Sequence, residues 1–132
     1  MIETLVSGHT AINLSYLDFK KKTQYVLLSR PTEENRILTW ENLTKIHDIT
    51  EQDKITSLPS QTQVLKWLRE THNYYVTVLP NTINTYIATV FTWEKIENSF
   101  MSEVIMYKEE TYETALETAL KKITDLLYEQ SL

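Results

Sequence analysis

The chain is 132 residues long, 42% hydrophobic, 11% aromatic and 23% charged, with one glycine, no cysteine and a net charge of −5. A chain of this length and apolar content buries enough surface to fold as one domain, and its aromatic richness argues against a disordered one. Without cysteine there is no disulfide framework, thiolate metal site or thiol nucleophile, and with Gly8 as the lone glycine no P-loop, Rossmann fingerprint or Gly-x-Ser-x-Gly elbow is built.

Met1-Ile2-Glu3-Thr4 has no positive start and no apolar run behind it, so no secretory leader is expected and the cytoplasm is the default compartment. Ile12-Asn13-Leu14-Ser15-Tyr16 alternates as a strand does, and Gln24 to Leu28 is β-prone. Lys20-Lys21-Lys22 between them then reads as the solvated tip of a hairpin, where lysines discourage edge pairing. Arg36 to Ile49 is ambiguous between strand and helix, with Thr39 and Asn42 as possible caps. Thr50 to Lys54 is polar and reads as a connector.

From residue 58 the pattern sharpens. Ser60 followed by Gln63 is a capping-box pair opening a helix, with Val64, Leu65, Trp67 and Leu68 on its apolar side and Lys66, Arg69 and Glu70 outside. His72-Asn73 is a natural stop, the imidazole lying near the negative helix end. Tyr74 to Leu79, Thr85 to Trp93 and Glu103 to Tyr107 are β-branched and aromatic, with short connections that favour an antiparallel meander. With glycine so scarce, Asn81, Asn84 and Asn98 are the expected turn residues, and Glu94 to Phe100 the polar link. Residues 112–128 carry Ala115, Leu116, Ala119, Leu120, Ile123, Leu126 and Leu127 on one stripe at helical period. Thr111 caps that helix, and the carboxylates of Glu113 and Glu117 are expected on its wet side.

The predicted fold is therefore α+β: an antiparallel sheet of three or more strands with two helices on one face. It forms a single domain over 1–132, in which 58–132 make an α-β-β-β-α module and 1–57 a β-containing extension.

The run from Leu58-Pro59-Ser60-Gln61 through Lys66-Trp67-Leu68-Arg69-Glu70 to His72-Asn73, with Tyr112-Glu113 and Ala115-Leu116-Glu117 later, resembles uncharacterised small proteins of phages and prophages of gut Bacteroidales. The resemblance covers roughly residues 58–127 and implies a mobile-element origin without an established activity. The element order also resembles a double-stranded-RNA-binding domain, and its β-β-β-α part a HicB-type antitoxin domain. That RNA-binding family places lysines at the start of its second helix and a Gly-Pro-x-His loop between its first strands. This chain has Glu109, Glu110, Glu113 and Glu117 at the first place and lacks the second. Carboxylates there repel phosphates, so nucleic acid is not the expected partner.

His9, His47 and His72 fall into no His-x-x-x-His or facial-triad spacing, so no metal or cofactor is expected. Nothing local assembles a Ser-His-carboxylate set either, and an enzyme is the least supported reading. The candidate binding residues are Tyr74, Tyr75, Tyr86, Trp93 and Tyr107, about half of which alternation places on the sheet face away from the helices. Lys20, Lys21 and Lys22, the one basic cluster, join them. The function expected is that of a phage- or prophage-encoded accessory protein that binds a host or phage protein, with self-association as a further option. A nucleotide-binding anti-defence role is the alternative, and it asks for a pocket of Tyr, Trp and Arg near Arg30, Arg36 or Arg69. The third is the nucleic-acid module.

Overall fold

The computed structural model describes residues 4–82, 84–94 and 99–132, and the side chains of 4–81, 84–92 and 108–132. The chain is α+β, with two antiparallel three-stranded sheets and four helices among the described residues. In chain order the elements are α1 (Gly8–Tyr16), β1 (Tyr25–Ser29), β2 (Arg36–Thr39), α2 (Trp40–Leu43), β3 (Lys54–Leu58), α3 (Gln61–His72), β4 (Tyr74–Thr82), β5 (Thr85–Glu94), β6 (Ser99–Glu109) and α4 (Tyr112–Ser131).

Helices α1 and α4 join the two sheets, α3 lies beside α4, and the short α2 stays against β1 and β2. The first sheet has the order β2-β1-β3 and the second β4-β5-β6. Helix α4 packs across all three strands of the second sheet, α3 packs beside it on β4, and α1 bridges α4 to β3. One core results: Val64, Trp67 and Leu68 of α3 meet Ala115, Leu116, Ala119, Leu120, Ile123 and Leu127 of α4, with Leu14 of α1 and Ala88 and Val90 of β5. Tyr74, Val76, Val78 and Tyr86 complete it from the sheet.

Local signals explain the two long helices. Ser60 accepts from the Gln63 N–H at 3.2 Å while the Gln63 side-chain oxygen accepts from the Ser60 N–H at 3.0 Å, the reciprocal pair that the spacing predicts. Asn73 ends α3 in the left-handed region at φ 57°. With Asp18 at φ 64°, it supplies the positive-φ backbone that a glycine-poor chain needs. Those positions differ from Asn81, which lies within β4, and from Asn84, at the β4–β5 turn; Asn98 lies outside the described residues. Thr111 caps α4, which runs on to Ser131.

The N-terminal region departs from the sequence reading in three places. Residues 8–16 are helix, not strand: Ser7 accepts from the Thr10 N–H, and the buried set Thr10, Ala11, Asn13 and Leu14 follows helical spacing. The apparent alternation came from Ile12 and Tyr16, which face solvent at 39% and 60% exposure. Lys20–Lys22 consequently form no hairpin tip but an irregular link from α1 to β1. Only residues 50–53 of the polar run form the connector, where Thr50 and Asp53 close a turn on each other. Lys54 begins β3, which pairs with β1 from Tyr25↔Leu58 to Ser29↔Lys54. The ambiguous segment resolves into β2 followed by a short helix capped by Thr39.

Candidate functional site

In β4 and β5 the register fixes which residues share a face. Tyr74, Val76, Val78, Tyr86, Ala88 and Val90 point to the helices. Their neighbours Tyr75, Thr77, Leu79, Ile87, Thr89 and Phe91 therefore point the other way, with Tyr75 opposite Phe91 and Leu79 opposite Ile87. None of these six is buried, and Leu79 is 64% exposed. Among the described residues the first sheet reaches α4 through α1 and is not packed on the second sheet.

The aromatic candidates thus divide. Tyr75 belongs to the outer face, whereas Tyr74 and Tyr86 pack on the helical core, Tyr86 edge-on to Tyr112 at 6.4 Å. Trp93 pairs with Phe100 and Tyr107 with Ala88 in the β5–β6 register; the side chains of Trp93 and Tyr107 lie outside the described residues. Trp67 is a core residue at 4% exposure.

The carboxylate side of α4 is only partly wet. Glu113 is exposed, but Glu117 Oε1 accepts from the Ser7 N–H at 2.6 Å and from the Thr10 hydroxyl at 2.9 Å. Its Oε2 is buried without a hydrogen-bond partner among the described residues. One turn pair further on, Asn13 Nδ2 donates to Thr124 Oγ1 at 3.1 Å and to Asp125 Oδ1 at 2.7 Å, and His9 Nε2 lies 2.7 Å from the same Asp125 oxygen. Burial pushes the Asp125 carboxyl up, but the hydrogen bonds from His9 and Asn13 outweigh it, and the group sits below its ordinary value. This is a polar seam joining α1 to α4.

Arg30 and His72 are also engaged structurally. Asp48, next to His47, is held by Arg30 through two hydrogen bonds of 2.9 and 3.3 Å, and the Arg30 hydrogen bond draws its carboxyl below the ordinary value. Arg30 also lies 3.5 Å from Asp53, so it pins the 46–53 segment to the end of β1. His72 turns its ring onto Trp67 with centroids 4.8 Å apart, and burial lowers its pKa from 6.5. Burial thus disfavours the imidazolium at the helix end. Among the described residues, no three His, Asp or Glu side chains gather as a metal site, and no helix is long and apolar enough to cross a membrane.

A pH effect follows from His72. The folded chain disfavours the imidazolium while the unfolded chain protonates near 6.5, so stability is complete above that value and falls as pH drops toward the folded-state pKa. Thermal unfolding between about pH 7 and 5 is expected to show this decline, and His72→Gln to flatten it. An unchanged slope in the variant would assign the effect elsewhere.

Of the clefts lined by described residues, one lies between α1 and β3, with Ile12, Tyr16 and Ile55 on its walls, and another by Asn84 and Glu110. A third, of about 220 Å³, is lined by Lys21, Lys22, Gln63, Lys66 and Trp67. No arginine lines any of the three. The third cleft was only half legible in sequence: the lysine run is plain, but its meeting with Lys66 depends on the 19–22 link lying along α3.

No protein-family model, curated protein or solved structure matches the chain.

Proposed function

We propose that this is a phage- or prophage-encoded accessory protein that acts in the host cytoplasm by binding a host or phage protein through the outer face of the β4–β5–β6 sheet. The observation that carries the reading is the row Tyr75, Leu79, Ile87 and Phe91, set on a face that α3 and α4 leave uncovered. Apolar and aromatic side chains clustered at a surface lose their contact with water on docking, and aromatics on a rigid sheet do so at low entropic cost. The mobile-element origin rests on the Lys66-Trp67-Leu68-Arg69-Glu70-x-His72-Asn73 resemblance.

A non-enzymatic role is consistent with the polar seam, whose carboxylates are spent on holding α1. Residues 61–131 run helix, three strands, helix. The exposed carboxylates of Glu110 and Glu113 at the start of α4 nevertheless oppose phosphate docking there. Placing a photoreactive residue at position 79 in the expressing cell tests the proposal, since a partner seated on the outer face is expected to be captured there as a discrete adduct.

A further inference from the structure

We propose that Lys21, Lys22 and Lys66 form a binding site for a polyphosphate group, separate from the outer sheet face and independent of what docks there. On a chain of net charge −5, three exposed lysines line one small cleft. Their backbone is held in place rather than left loose. Phe19 sets its ring edge-on to Trp67 at 5.3 Å, and the Gln63 side-chain amide donates to the Lys22 carbonyl at 3.0 Å. The link between these anchors thus lies along α3 and presents Lys21 and Lys22 beside Lys66.

Two of the three charges have no ion-pair partner among the described residues, and the third is only weakly paired. Among the described residues neither Lys21 nor Lys22 has a carboxylate within 4.0 Å, whereas Lys20, which does not line the cleft, pairs with Asp18 at 3.2 Å. Lys66 meets Glu70 only at 3.9 Å and with both side chains well exposed. The backbone at the start of α3 is not the attraction, because the Gln63 N–H is already donated to Ser60 and the Gln61 N–H to Thr4. The site works through side-chain charge.

The shape narrows the ligand. A volume of about 220 Å³ has room for one or two phosphate groups. Lysine is a compact point charge suited to phosphate oxygens, and several lysines around one small space match a group that concentrates charge as a diphosphate does. Free pyrophosphate and the diphosphate end of a nucleotide present the same chemistry, the base of the latter lying outside the cleft.

Titration of the full chain with pyrophosphate and with ADP, followed by NMR at the Trp67 indole and the Gln63 side-chain amide, tests the site. Saturable shifts are expected at low salt, weakening as salt rises. Lys22→Ala and Lys66→Ala are each expected to weaken binding about fivefold, and Lys20→Ala less than about twofold. Glu70→Gln, which frees Lys66, is expected to tighten it. Equal affinity for the two ligands assigns free pyrophosphate, and tighter ADP binding with the same lysine dependence assigns a nucleotide. Absence of saturable shifts overturns the proposal, as does binding indifferent to Lys22 and Lys66. A glutamate-rich peptide that binds with this lysine dependence where pyrophosphate does not would overturn it as well.

Discussion

Leu120→Ala is expected to lower the unfolding free energy by about 3 kcal/mol, the largest single effect predicted for this chain. Leu120 is fully buried at the middle of α4, the helix on which the second sheet, α3 and α1 all pack. Truncation removes its transfer free energy and leaves a cavity that three elements cannot close at once. Leu126, on the same helix but only half-buried, provides the comparison, and Leu126→Ala should cost clearly less. Chemical denaturation with an unchanged denaturant slope checks both. Equal losses at the two positions would contradict the placement of α4 at the centre of the molecule.

The second large effect is at Glu117. Its carboxylate takes the Ser7 N–H and the Thr10 hydroxyl, and Thr10 is fully buried. Glu117→Ala strands both donors in a place with little water, at a cost of about 2 kcal/mol. The exposed Glu113, one turn earlier, has no such duty, and Glu113→Ala should stay within about 0.5 kcal/mol. Glu117→Gln keeps one acceptor oxygen and should fall between the two. If both glutamates proved equally dispensable, α1 would not be fastened to α4 as described. Removing the carboxylate also takes negative charge from the positive end of α1, which adds to the loss.

These two residues show why some of the fold was legible from residues alone and some was not. Helix α4 announces itself because its buried stripe is almost wholly apolar, and α3 because Ser60 and Gln63 mark its start. Helix α1 hides because half of its buried side is Thr10 and Asn13, polar residues that make sense only once Glu117, Thr124 and Asp125 stand opposite them. Its apolar Ile12 and Tyr16 face out, so the hydrophobic pattern pointed to the wrong period. Strand β3 is held by pairing with β1 some thirty residues earlier, which no local signal between Lys54 and Leu58 reveals. The same distinction governs the candidate sites. Tyr74 and Tyr75 fall on opposite faces because a strand's period is local, whereas the lysine cleft needs the 19–22 link to meet α3 and is a product of tertiary structure.

The most direct measurement of the central claim is the yield of photo-adduct at position 79 compared with that at position 62, an exposed site on α3. A discrete adduct at 79 that is absent at 62 is the predicted result. Its mass distinguishes a foreign protein from a second copy of the chain. Equal labelling at both positions, or none at 79, would mean that the outer face of the second sheet is surface and not interface.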